Sequence, residues 1–184
     1  MLIATGVAGG AATVAAAVPF VASMLPSARA KAAGAPSEVE LAGLDVGKLR
    51  TEEWRGKPIW VLRRSPEMLA TLPKLEDRLA DPNSVQSEQP KYCQNETRSI
   101  KPEFLVLIGI CTHLGCSPTK KLEGGGASGM GEDWPGGFFC PCHGSRFDLA
   151  GRVFKDVPAP TNLVIPQHTY LSDTRILIGE DKKS

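Results

Sequence analysis

The chain has 184 residues, enough for about one ordinary domain and an extra segment. Its 21 Lys and Arg against 20 Asp and Glu leave a formal net charge of +1, which argues against a nucleic-acid binder, and no acidic run suggests a solvating tail. Hydrophobic residues make up 42%, enough for a core, while 19 Gly, 15 Pro and few aromatics favour short strands and turns over a helical bundle.

No charged side chain occurs from Met1 to Ala28, and Leu2 to Leu25 is a run of mostly Ala, Val, Leu, Ile and Gly. As a helix this run would extend about 36 Å at roughly 1.5 Å per residue, enough to cross a bilayer with some tilt. Gly6 and Gly10 form a GxxxG pair suited to close approach of another helix, and Pro19 either kinks the span or marks its last turns. A cleaved secretory signal is the rival reading, because small residues at Ser27-Ala28-Arg29-Ala30 resemble a cleavage point. The apolar run is long for a signal, so a retained anchor over residues 1–26 is expected. Arg29 and Lys31 come after the span, which taken alone would leave the rest of the chain in the cytoplasm. Basic residues upstream of Met1 would reconcile this with an exported domain, and a natural start upstream is therefore expected.

Residues 27–36, small and Ala/Gly-rich, read as a flexible tether, and residues 37–184 as the remaining domain. Ile59–Arg64 predicts a strand. Ser65-Pro66-Glu67 is a helix start, with Ser as N-cap and Pro in the first turn, and Pro73 keeps that helix short. Asp81–Asn95 reads as a polar loop, and Phe104–Ile110 as a buried strand. Seven glycines between Gly124 and Gly137 suggest a flexible insertion. Further strands are expected near Val153-Phe154, Leu163–Ile165, Thr169–Leu171 and Arg175–Ile178. The fold expected is mostly β: small antiparallel sheets with a cluster-binding subdomain on loops, plus one N-terminal transmembrane helix.

Four of five cysteines and two of three histidines fall in two boxes, Cys111-Thr112-His113-Leu114-Gly115-Cys116 and Cys140-Pro141-Cys142-His143-Gly144-Ser145. Such clustering points to metal ligation, a local disulfide, or both. One Cys and one His from each box supply two thiolates and two imidazoles, the set needed by a 2Fe-2S cluster with Cys₂ on one iron and His₂ on the other. Neutral imidazoles remove negative charge, placing the potential of such centres at about −150 to +300 mV. Zinc is the competing metal, although CxHxxC is not the spacing of an ordinary zinc knuckle.

The two boxes resemble the Rieske proteins of cytochrome bc and bf complexes, and the resemblance covers about residues 40–180. Arg98–Glu103 (RSIKPE) and Val157-Pro158-Ala159-Pro160 are similar to the bacterial bc branch. The resemblance implies that Cys111 and Cys140 ligate the inner iron, that His113 and His143 ligate the outer one, and that Cys116 and Cys142 form a disulfide. It implies that Ser145 donates a hydrogen bond to a cluster sulfide. Leu114 and Gly115 would lie beside the cluster at the quinol-docking face, and Pro158 and Pro160 would stiffen a third loop over it. His143 would take the proton of a quinol as one electron passes from a cytochrome b site towards a c-type cytochrome. By the same resemblance, the quinol expected is ubiquinol.

The implied setting is a dimeric quinol–cytochrome c reductase, a proton-translocating respiratory complex in a bacterial inner membrane. The chain would be single-pass there, with the domain in the periplasm. Two departures from the family are visible. Phe147 stands where many high-potential relatives carry Tyr, and 26 residues (114–139) separate His113 from Cys140, more than is usual. A soluble Rieske ferredoxin or oxygenase domain is disfavoured by the extra Cys pair and the apolar run. The small subunit of an arsenite oxidase is disfavoured by RSIKPE. Cys93 is read as a bystander among loop residues, His168 as structural, and Trp54, Trp60 and Trp134 as packing residues.

Overall fold

The computed structural model describes residues 1–25, 27 and 34–181. It divides into two compact units, Met1–Ala35 and Pro36–Ser184. The first holds α1 (Leu2–Ser23), which continues through Pro19 and is exposed along its whole length. It is long and apolar enough to cross a membrane. Apart from Ser27 and residues 34–36, the expected tether lies outside the described residues.

The second unit holds nine strands among the described residues, in three antiparallel sheets of three. The first sheet joins β1 (Ser37–Glu40), β9 (Arg175–Ile178) and β8 (His168–Tyr170), in that spatial order. The second orders β2 (Leu49–Trp54), β3 (Lys57–Arg63) and β4 (Phe104–Ile108). The third orders β5 (Thr119–Lys121), β6 (Gly137–Phe139) and β7 (Arg146–Phe147).

The middle sheet separates two cores, and its sequence shows why. Side chains alternate faces along a strand. Ile59 and Val61 of β3, with Phe104, Val106 and Ile108 of β4, pack into a core with Val39, Ile176 and Ile178 of the first sheet. Trp60 and Leu62, with Leu105 and Leu107, face the other way, into a core shared with Cys111, Phe138, Cys140, Phe147 and Leu149. A strand buried on both faces reads as one unbroken apolar run, as FLVLI does. The β2–β3 hairpin closes through Arg55 and Gly56, both at positive φ, as a two-residue turn between twisted strands requires.

Ser65 caps α2 (Pro66–Thr71), its side chain accepting from the Met68 amide at 3.2 Å. The helix then tightens into a 3-10 segment, Leu72–Arg78, with Pro73 in its first turn. Three local expectations need correction. Leu163–Ile165 forms no strand, although Leu163 and Ile165 are buried; their amides bond loop carbonyls, Leu163 to Gly151 and Ile165 to Glu88. Cys93 is fully buried in the core that holds Cys111 and Cys140, because the short 3-10 turn Lys91–Cys93 directs it inward. The Gly-rich insertion is pinned: Trp134 is buried against Leu75, Leu79 and Phe154, and its Nε1 donates to the Lys121 carbonyl at 2.8 Å.

Candidate metal centre

Each Cys/His box is a loop leaving the end of a strand. Box one lies between β4 and β5; box two lies between β6 and β7. The loops close with the same two hydrogen bonds. The Cys111 amide donates to the Cys116 carbonyl at 2.8 Å and the Gly115 amide to the Cys111 carbonyl at 3.1 Å. The Cys140 amide donates to the Ser145 carbonyl at 2.8 Å and the Gly144 amide to the Cys140 carbonyl at 2.9 Å. Gly115 and Gly144, fifth in each loop, both have φ 81°, a conformation that strains any side chain. Position one is therefore Cys in both loops, position six is Cys116 or Ser145, and the histidines sit at positions three and four.

This registry brings the expected ligands together in two pairs, His113 with His143 and Cys111 with Cys140. The His113 and His143 rings meet edge to face with centroids 4.8 Å apart. His143 is exposed and His113 half-buried, and the Nδ1 of His113 is buried with no hydrogen-bond partner. Cys111 and Cys140 are buried free thiols. Burial pushes the Cys111 thiol upward, Cys140 beside it adds to the rise, and hydrogen bonds from the His113 backbone and the Ser145 side chain oppose it.

Cys116 and Cys142 are joined as a disulfide across the two loops. The sulfur atoms of Cys116, Cys140 and Cys142 lie within 4.8 Å of one another, but the disulfide occupies two of them. That leaves two thiols and two imidazoles, the donor set a Rieske cluster needs, though also one that tetrahedral zinc accepts. The partnerless nitrogen of His113 fits a ligand role as well, since buried polar atoms are rarely left unbonded. The residues fit the group.

Around them, Leu114 is 70% exposed at the tip beside the histidines. Ser145 is buried, accepts from the Ala159 amide at 3.0 Å, and hydrogen-bonds Cys111. Phe147 is fully buried and pairs with Phe138 across β6 and β7. Pro158 and Pro160 are exposed on the third loop, and the buried residue between them, Ala159, makes the contact with Ser145. Sequence reasoning misses Thr112, whose hydroxyl donates to the Thr161 carbonyl at 2.7 Å and ties box one to that same loop. Nothing local marks it, because its partner is 49 residues away.

The fold and the site define an iron-sulfur domain of the Rieske class, and the Rieske [2Fe-2S] domain family matches residues 80–170. The iron-sulfur subunit of ubiquinol-cytochrome c reductase from Allochromatium vinosum is 63% identical over 184 residues, 100% of this chain and 88% of that one. The subunit of the same name from Bradyrhizobium diazoefficiens is 38% identical over 97% of this chain and 92% of its own. A chain of a hyperthermophilic respiratory complex III has a like fold, with TM-score 0.51 and 24% identity, covering 96% of this chain and 98% of that one. This chain belongs to the family of Rieske iron-sulfur subunits of ubiquinol-cytochrome c reductases.

Proposed function

We propose that Cys111 and Cys140 hold one iron of a Rieske 2Fe-2S cluster and His113 and His143 the other. The chain then carries single electrons from quinol, at a cytochrome b subunit, to a c-type cytochrome. The observation that supports this most is that two congruent, disulfide-linked loops set His113 against His143 and Cys140 beside Cys111. Family membership with the reductase subunits supports the partners and the substrate. When bound, the cluster supplies a one-electron store whose imidazole ligands ease reduction.

The chain's own residues supply the rest. His143 is exposed, so its imidazole can accept a hydrogen bond from the quinol hydroxyl and take up the proton released on oxidation. Leu114 offers an apolar contact beside it that excludes water from the encounter. Ser145 and the third loop fix the floor of the site.

Residues 1–26 serve as membrane anchor, 27–36 as tether and 37–184 as the electron-carrying domain. The domain lies in the periplasm: a disulfide joining the two loops persists in an oxidising compartment and seldom in the cytosol. Leu114, Gly115, Phe147, Pro158 and Pro160 surround the cluster without ligating it.

The ligand assignment is tested by replacing Cys111, His113, Cys140 and His143 singly and measuring iron content and the EPR spectrum of the reduced protein. Each variant should lose the Rieske signal. A fully loaded variant with unchanged g-values removes that residue from the ligand set. A C-terminal reporter active in the cytoplasm overturns the topology.

A further inference from the structure

Burying an arginine is costly unless its charge is paired. Three arginines, Arg64, Arg98 and Arg152, are at most 1% exposed. Arg152 pairs with the fully buried Asp148 at 2.8 Å. Arg64 and Arg98 have no carboxylate within bridging distance among the described residues. Arg98 instead donates to the carbonyls of Leu163 at 2.8 Å, Ala150 at 3.3 Å and Gly151 at 3.4 Å, and to Gln89 Oε1 at 3.0 Å. Its Nε is buried with no partner, and its backbone takes φ 49°, unusual for a residue with a side chain.

The acidic groups do not balance this. Among the described residues, the buried carboxylates are Asp81 and Asp148, against three buried guanidinium groups, so one positive charge is in excess. Burial lowers the pKa values of Arg64 and Arg98 to about 10 each, so both remain charged at neutral pH. Of the two guanidinium groups without a salt bridge, Arg98 is the one that the half-buried Gln89 also contacts. Ala150 and Leu163, whose carbonyls Arg98 bonds, pack in the same cluster of side chains as Cys111 and Cys140.

We infer that Arg98 is an electrostatic tuning residue: its unpaired buried charge favours the reduced form of the cluster and raises the potential at which the chain accepts an electron. The reason is Coulombic. One electron makes the centre one unit more negative, and a fixed positive charge inside a poorly polarisable core stabilises that state. Carbonyl dipoles satisfy the guanidinium hydrogen bonds without cancelling its charge. The inference rests on the cluster assignment above.

Gln89 makes the test possible without removing Arg98. Gln89→Glu places a half-buried carboxylate of nearly the same shape against the guanidinium and pairs its charge. In the full-length, loaded protein at neutral pH, its midpoint potential should fall, while iron content and EPR g-values stay as in the wild type. Arg98→Gln should lower the potential in the same direction, and Arg98→Lys, which keeps the charge, should restore it. Should Arg98→Gln fail to fold, Gln89→Glu decides alone. A loaded Gln89→Glu protein with an unchanged or raised potential overturns the role of Arg98. A wild-type protein without the Rieske signal overturns that role and the cluster assignment together.

Discussion

The amide of Ala159 donates to the hydroxyl oxygen of Ser145 at 3.0 Å, and both residues are buried. This bond fastens the third loop to the last position of the second cluster loop. It also leaves the hydroxyl proton for the Cys111 sulfur. Ser145→Ala strands a buried amide, at a cost of about 1–3 kcal/mol. It also removes a donor that favours the more negative, reduced state. The variant should melt at a lower temperature and titrate at a lower midpoint potential. Lower stability with an unchanged potential would show that the hydroxyl only holds the loop.

The disulfide links residues 26 apart in sequence, so it removes substantial loop entropy from the unfolded chain. Replacing Cys116 and Cys142 together by Ser should cost about 3 kcal/mol. Because the bond holds the two ligand-bearing loops together, iron should also be released faster. The check is thermal unfolding together with iron retention over time. Wild-type retention in the double variant would mean that each loop holds its ligands unaided.

Phe147 is fully buried, pairs with Phe138, and shares a core with Cys111 and Cys140. Unlike a tyrosine, it can donate no hydrogen bond to a cysteine sulfur. Phe147→Tyr adds that hydroxyl at little cost in volume. If the donor favours the reduced state by about 1.4 kcal/mol, the potential rises by roughly 60 mV for one electron. Redox titration of the two proteins side by side measures this. A potential that stays level or falls, with the cluster intact, would show the new hydroxyl pointing elsewhere.

His168 is buried, and its Nδ1 lies 2.9 Å from the Pro166 carbonyl. Burial lowers its pKa from the ordinary 6.5, against a smaller opposing effect of that carbonyl. The unfolded chain therefore takes the proton first as pH falls. The contribution of His168 is complete above about pH 6.5 and is lost as pH drops below it towards the folded value. His168→Asn keeps a donor near Pro166 but does not titrate. Its urea midpoint should fall less than that of the wild type between about pH 7.5 and pH 5.5. Equal losses in the two proteins would place the acid sensitivity on other groups.

The chemistry and several local elements are legible in the order of residues. A cluster ligand set can be read there because it depends on residue type and short spacing, and each box spans six residues. The anchor helix shows as one long apolar run, the buried strand β4 as FLVLI, and α2 as Ser65-Pro66. β1 and β2 give no such signal, because their polar, partly exposed residues carry no apolar run.

Which polar residues go inside is settled only in three dimensions. Asp81–Asn95 reads as a solvated loop, yet Asp81, Ser84 and Ser87 are buried. Asn162, some eighty residues away in the chain, satisfies them: its Nδ2 donates to the Asp81 carbonyl and the Ser84 hydroxyl, each at 3.0 Å, with sequence separations of 81 and 78. The same is true of Arg98 and its carbonyls, and of Trp134, which turns a glycine-rich stretch into a fixed one. Polar groups can be buried wherever partners satisfy them, and partners that arrive from distant segments leave no mark in the local pattern of residues.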